Sequence, residues 1–455
     1  MRENAWKTYD SETMKKVFEL SEGYKKFISD CKTERECVIE SIAMAKAKGY
    51  RDLEEVIANG ETLKAGDKVY ANNMGKTVAF FLIGKQPLEN GMNILGAHVD
   101  SPRLDIKQNP LYEDNELALL DTHYYGGIKK YQWVTIPLAI HGVIVKKDGT
   151  VVNVNIGEKD EDPVFVITDL LIHLASKQMD KKAAGVVEGE NLDLLIGSRP
   201  IEQDESLEKK EKEAVKANVM NLLKEYYDVE EEDFISAELE IVPAGKAREC
   251  GFDRSIVLAY GQDDRVCAFT SLFAMLDVEK TERTACCILV DKEEIGSVGA
   301  TGMHSRFFEN IVAELVALTE GESDLKVRRA LMNSTMLSSD VSAAYDPMYA
   351  EVFEKRSSAF FGKGLVFNKF TGSRGKSGSN DANAEYLAKI RQAMDSKDVS
   401  YQFAELGKVD AGGGGTIAYI MANYGMEVID SGVAVLSMHA PWEATSKADV
   451  YEAYK

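Results

Sequence analysis

The chain has 455 residues, 45% of them apolar and 28% charged, with 9 prolines. That length exceeds one ordinary core, so two domains are expected, and the composition is that of a folded globular chain. A formal charge of −21 excludes the basic face that a nucleic-acid or anionic-membrane partner requires.

The opening Met1–Lys7 leads into charged helical spacing, with no apolar core of signal-peptide length. No stretch approaches the roughly 20 consecutive apolar residues of a membrane span. The cysteines are Cys31, Cys37, Cys250, Cys267, Cys286 and Cys287, with no C-x-x-C pair. They read as reduced thiols of a cytoplasmic protein and argue against a cysteine-rich metal site.

In chain order, the first ~50 residues predict two amphipathic helices, the second opened by the capping box Thr33-Glu34-Arg35-Glu36. Thr77–Ile83 and Asn93–Gly96 are strand-like, and the second runs into His98-Val99-Asp100. From about residue 107 the character changes. Val134–Lys146 and Val151–Ile156 predict strands joined at Lys147-Asp148-Gly149. A helical stretch holding Asp169–Ser176 follows, then a solvated helix over Glu205–Tyr227. From Ile241 onward, apolar strands alternate with helices at Ile256–Tyr260, Arg265–Asp277, Ala285–Val290, Arg306–Leu318 and Met332–Leu337. Such alternation predicts an α/β sandwich with a largely parallel sheet. The simplest partition is a discontinuous α/β domain (1–106 and 244–455) with a β-rich domain inserted at 107–243. The C-terminus, so close behind His439, leaves little room for a further domain.

Candidate chemistry gathers in loops after apolar strands, where ligands of open α/β sheets bind. In His98-Val99-Asp100, positions 98 and 100 point the same way along a strand, so Asp100 could fix the tautomer of His98. Asp263-Asp264 either cap the following helix or supply a carboxylate bridging two cations. Of Glu293 and Glu294, one could bind a metal while the other holds an attacking water as general base; the bland alternative is a solvated turn. Asp340 follows another apolar strand. His439 near the C-terminus is, taken alone, more often a core histidine. The run Gly412-Gly413-Gly414-Gly415-Thr416 is either a flexible turn or a backbone cradle for a closely approaching ligand. Together these residues offer two imidazoles and at least four carboxylates, the set two divalent ions sharing a water require. Mixed nitrogen and oxygen donors suit Zn, Mn or Co.

The order His, Asp, Glu-Glu, Asp, His resembles the M18 family of metallo-aminopeptidases, the aspartyl aminopeptidase group. The resemblance rests on Gly96-Ala97-His98-Val99-Asp100-Ser101-Pro102, Asp291-Lys292-Glu293-Glu294-Ile295-Gly296-Ser297, and Gly414-Gly415-Thr416-Ile417 ahead of Ser437-Met438-His439. It implies two metals, most simply zinc, held by His98, Asp263, Glu294, Asp340 and His439. Asp263 would bridge them, with Asp264 as the alternative. Glu293 would be the general base, and Asp100 would orient His98. His173, by periodicity a core histidine on an amphipathic helix, matches a family histidine that reaches into a neighbouring subunit's site. The resemblance further implies a twelve-subunit shell built from dimers, with 107–243 as the dimerisation domain of a phosphorylase/hydrolase-like fold.

Two departures concern substrate. Acid-specific relatives carry a histidine where this chain has Ala343, and a lysine where it has Asn368, with Lys369 adjacent. A buried carboxylate needs a cationic or donor partner, so these departures leave both acidic and neutral first residues open, with the balance toward neutral ones. Asn368, Lys369, Gly415 and Thr416 are the expected substrate contacts. The expected activity is removal of N-terminal residues from peptides. The rival readings are another two-metal amidase (carboxypeptidase or deacylase) and an inert shell-forming binding protein.

Overall fold

Two amphipathic helices open the fold, each started by a side chain that satisfies an otherwise orphaned backbone N–H. Asp10 accepts from Thr13 N ahead of Ser11–Asp30, and Thr33 and Glu36 close the expected capping box ahead of Glu34–Ala47. The computed structural model describes residues 3–202 and 211–455. By contacts the chain divides into two units, Met1–Ser101 with Ala247–Met438 and Trp442–Lys455, and Pro102–Lys246 with His439–Pro441.

The first unit is built on a nine-stranded mixed sheet. Its centre is four parallel strands in the order Ala285–Val290, Asn93–His98, Thr335–Ser339 and Glu427–Gly432. The antiparallel strands Thr77–Leu82 and Leu365–Asn368 flank them. The centre is parallel because helices intervene between its strands and cover both faces, so the strands are apolar on both sides. Alternation shows this directly. Cys286, Ile288 and Val290 pack with Phe308, Val312 and Leu315 of the helix Phe307–Glu320, whereas Cys287 and Leu289 pack with Phe27 and Phe269 on the other side. A second sheet in this unit pairs Arg248–Cys250, Ile256–Ala259, Glu443–Ser446, Ala434–Leu436 and Ser342–Ala343.

The second unit carries a six-stranded antiparallel sheet in the order Val151–Ile156, Leu138–Val145, Ala237–Pro243, Arg103–Asp114, Leu117–Tyr125 and Leu194–Gly197. Arg103–Asp114 and Leu117–Tyr125 form a hairpin that the sequence reading passed over, and the expected boundaries at 106 and 243 lie five and three residues from those of the unit, 101 and 246. The expected helix over Asp169–Ser176 is instead a 3-10 turn, Ile172–Leu174, before the short helix Ser176–Met179. The expected helix over Glu205–Tyr227 runs Ala214–Tyr227, and residues 205–210 lie outside the described residues. No helix among the described residues is long and apolar enough to cross a membrane.

Candidate metal centre

The carboxyl ends of adjacent parallel strands converge on one point. His98 is the last residue of Asn93–His98, Asp340 follows Thr335–Ser339, and Glu293 and Glu294 follow Ala285–Val290. Asp263 and Asp264 come from the second sheet, after Ile256–Ala259. His98 Nε2 lies 3.2 Å from Asp263 Oδ1, 3.9 Å from Asp340 Oδ1 and 4.0 Å from Glu293 Oε2. Among the described residues, ligand atoms fall within 4.8 Å of one another in three sets: His98, Asp263 and Glu294; His98, Glu293 and Asp340; and Asp263, Asp264 and Asp340.

Neither Asp263 nor Asp264 has helical backbone angles, and Gly261, which opens the helix, contributes no side-chain cap. The helix-capping alternative is therefore not what these acids do: both are buried and turned inward. Asp264 Oδ2 accepts from His98 N at 3.3 Å, Ser101 Oγ donates to the Asp263 carbonyl at 2.6 Å, and Arg265 Nε donates to the Val99 carbonyl at 3.1 Å. Glu443 was missed by the sequence reading. Buried on Glu443–Ser446, its Oε2 accepts from Asp263 N at 3.1 Å. Its only signal in the sequence is an acid closely following His439 at the head of a small-residue strand.

Asp100 holds the glutamate turn more directly than it holds the imidazole. Its Oδ1 and Oδ2 accept from Glu293 N and Glu294 N, each at 3.1 Å. His98 Nδ1 is 2.9 Å from the Asp100 backbone carbonyl and 3.3 Å from Oδ1. A proton on Nδ1 satisfies that carbonyl and leaves the Nε2 lone pair for a ligand role. The turn is framed by Lys292 at φ 69° and Gly296 at φ 94°, and a lysine held in the left-handed region marks stored strain.

The electrostatics fit a cation. Burial, reinforced by Asp264, Asp263 and Glu293, pushes the Asp340 carboxyl well above the ordinary carboxylate range despite the opposing pull of His98. Burial likewise raises Asp264, with Asp263 adding to it. For His98, burial alone would depress the imidazole, but hydrogen bonds to Asp100 and Asp263 override it and raise its pKa. Several carboxylates crowded in low dielectric around one imidazole carry a large desolvation and repulsion cost that divalent ions offset. The imidazole-plus-carboxylate donor set is one that zinc accepts.

The remaining expected residues stand apart from these sets. His439 groups with the second unit, its Nδ1 3.0 Å from the Gly127 carbonyl oxygen. His173 is exposed in the 3-10 turn Ile172–Leu174, contrary to the core-histidine reading, because the apolar residues around it (Leu170, Leu171, Ile172, Leu174) face outward with it. Asn368 is buried at the end of Leu365–Asn368. Lys369 pairs with Asp381, which Lys376 also approaches at 2.9 Å, so its charge is already engaged. Thr416 Oγ1 donates to Asp430 Oδ1 at 2.5 Å, and Gly415 precedes it in an irregular segment.

Comparison with known proteins agrees with this chemistry. Residues 27–455 match the family model described as aminopeptidase I zinc metalloprotease (M18). A probable M18 family aminopeptidase 1 of Clostridium acetobutylicum is 65% identical over 449 residues, covering 99% of this chain and 96% of that one. The crystal structure of aminopeptidase I from the same organism superposes with a TM-score of 0.92 at 63% identity, covering 100% and 98% of the two chains. A more distant yeast structure, described as an mApe1 dodecamer, shares the fold at a TM-score of 0.76 and 21% identity, covering 96% and 94%.

Fold and site together define a metal-dependent exopeptidase. The chain belongs to the M18 family of zinc metallo-aminopeptidases, and it is a hydrolase that releases residues from the N-terminus of peptides.

Proposed function

We propose that the centre is dinuclear, with His98, Asp263, Glu294, Asp340 and His439 as ligands and Asp263 as the bridge. The observation that carries this is that Asp263 and Asp340 are the carboxylates recurring in two of the ligand-atom sets found among the described residues, Asp263 joining one with His98 and Glu294 and one with Asp264 and Asp340. Asp264, which spends one oxygen on the His98 backbone N–H, is the weaker bridging candidate. The Nδ1 contact of His439 with a backbone carbonyl supports Nε2 as its ligand atom, the arrangement usual for metal-bound imidazoles.

Zinc bound here would supply Lewis acidity, lowering the pKa of a water and polarising the scissile carbonyl. Glu293 then takes the proton of the attacking water and returns it to the leaving amine. Asp100 keeps the Glu293 backbone in register through its 3.1 Å hydrogen bond. His173, donated by a second copy of the chain, steadies the tetrahedral oxyanion, in keeping with its exposure amid outward apolar residues. The antiparallel unit would be the inserted dimerisation domain and the α/β unit the catalytic sandwich of a cytoplasmic homo-oligomer, as the dodecameric relative suggests.

Neutral first residues are the expected substrates. Asn368 carries no charge and Lys369 is already paired with Asp381, so an incoming Asp or Glu side chain would have to compete with the carboxylate that Lys369 and Lys376 share. The test is release of free amino acid from short peptides varied at the first residue, each with Zn, Mn, Co or a chelator. Metal-dependent release favouring neutral residues supports this reading, and release confined to Asp and Glu refutes its specificity. Glu293→Gln should retain wild-type metal content and lose at least ~100-fold in kcat. A variant near wild-type speed removes Glu293 as the base.

A further inference from the structure

Three neighbouring strands place polar side chains in one row beneath the metal residues. Ser338 is paired in register with Gly96 on one side and Asp430 on the other, and Asp430 is paired with Asn368. Residues paired in register share a face of the sheet, and residues two apart along a strand do so as well. The row Gly96, Ser338, Asp430, Asn368 therefore lies one pleat repeat inside the layer holding His98 and Asp340. On the rest of this face the paired strands are apolar, with Ile94, Ile288, Met336 and Val428 in the core. A buried carboxylate in such surroundings calls for a reason.

Asp430 commits one oxygen, Oδ1, to Thr416 Oγ1 at 2.5 Å. Thr416 Oγ1 in turn accepts from Ala418 N at 3.3 Å, at the start of the helix Ala418–Ala422. Asp430 Oδ2 and Ser338 Oγ are buried with no hydrogen-bond partner among the described residues. The glycine run before Thr416 is pinned at its other end. A Cβ at Gly412 would lie 1.8 Å from the Leu406 carbonyl oxygen, and one at Gly413, whose φ is +125°, would lie 2.5 Å from Ser373 Cα. Gly414 differs. Its backbone is not in the left-handed region, and a Cβ there would meet nothing within 4 Å. Nothing in the fold demands a glycine at 414, so its open backbone faces space that a close-approaching ligand can use.

We propose that Asp430 is a positioning residue for substrate: by holding the Thr416 hydroxyl it fixes the free end of the Gly412–Gly415 run, so that the Gly414–Gly415 backbone meets the peptide in one conformation. This rests on the aminopeptidase reading above and extends it to a residue that no part of that reading uses. Asp430 touches neither metal ligands nor water in the reaction; it acts through Thr416.

The experiment is steady-state hydrolysis of a neutral dipeptide series by zinc-loaded, full-length protein, with metal content and melting temperature measured on every variant. Thr416→Val removes the hydroxyl while keeping the shape, and Asp430→Asn keeps one acceptor. The expected result is a KM raised about tenfold in Thr416→Val and about threefold in Asp430→Asn, with a smaller change in kcat and full zinc occupancy. Thr416→Ser, which restores the hydroxyl, recovers most of the loss. A residue that served folding alone would lower melting temperature, zinc content and kcat together without the KM split, and that outcome overturns the proposal. So does a Thr416→Val enzyme with wild-type KM. If the wild-type chain itself released no residue with any metal, the function would fall first and the positioning role with it.

Discussion

Asp100 offers the sharpest test of how the centre is held. Its carboxylate is fully buried and accepts from both Glu293 N and Glu294 N at 3.1 Å. The backbone carbonyl of the same residue, not the side chain, makes the shorter contact with His98 Nδ1, 2.9 Å against 3.3 Å. If the side chain served mainly to fix the imidazole, Asp100→Asn would cost little, since the carbonyl survives the substitution. If it serves mainly to hold the glutamate turn, the substitution turns one acceptor into an amide N–H facing a backbone N–H. A hydrogen bond to a charged group contributes about 1.5–3 kcal/mol, so losing one of two and opposing a donor to a donor costs about 2–3 kcal/mol. Expressed at the metal, that is a zinc affinity weakened by roughly 30- to 140-fold, at the upper end of what partners behind a ligand usually contribute. The assay is zinc competition against a chelator of known affinity, alongside urea unfolding of the metal-free protein. Asp100→Ala, which removes both acceptors, should weaken binding further still. Wild-type zinc affinity in Asp100→Asn would refute the assignment of this carboxylate to the glutamate turn.

Other residues carry distinct expectations. Glu443→Ala leaves the buried Asp263 N–H without its acceptor, so metal-free stability should fall by about 1–3 kcal/mol and zinc affinity should fall with it. Unchanged values for both would show that Glu443 does not support Asp263. Asp449, fully buried and accepting from Gly362 N and Gly364 N at 2.8 and 2.7 Å, is raised by burial from 3.8 to about 7. A folded pKa above the unfolded one means its stabilising contribution is complete below pH ~4 and lost as pH rises through about 7, by up to about 4 kcal/mol. Urea unfolding of chelator-treated protein at pH 5 and pH 8 should show a steeper decline for wild type than for Asp449→Asn. Parallel declines would contradict the buried, protonated carboxyl.

Much of this was written in the sequence, and what was not has identifiable causes. Three of the four central strands were legible because parallel strands covered on both faces are apolar throughout and end in loops; the fourth, Glu427–Gly432, with Asp430 and Ser431 in its run, was not. That same apolar character put His98, Glu293, Glu294 and Asp340 at the ends of those three strands, while Asp263 was marked by the separate apolar strand Ile256–Ala259 of the second sheet. The hairpin Arg103–Asp114 and Leu117–Tyr125 was not legible. Its turn places Asn115 and Glu116 at φ 47° and 60°, a geometry that Asn-Gly or Asp-Gly would have announced and Asn-Glu does not. A register shift between Ile106 and Leu111 further breaks the alternation that would have marked the first strand.

His173 shows a different limit of sequence reasoning. Leu170, Leu171, Ile172 and Leu174 have the density of a buried helical face, and hydrophobic periodicity reads them that way. Periodicity detects that apolar residues cluster; it carries no information about what covers them. In the single chain these four side chains are exposed, from 48% at Leu170 to 70% at Leu174. An exposed apolar group of this kind on a chain otherwise rich in surface charge costs solubility unless another surface covers it. A second copy of the chain is the cover that the proposed role of His173 requires. The two readings of one segment, core helix and subunit contact, thus share a single physical cause, the removal of apolar area from water, and differ only in which chain supplies the other side.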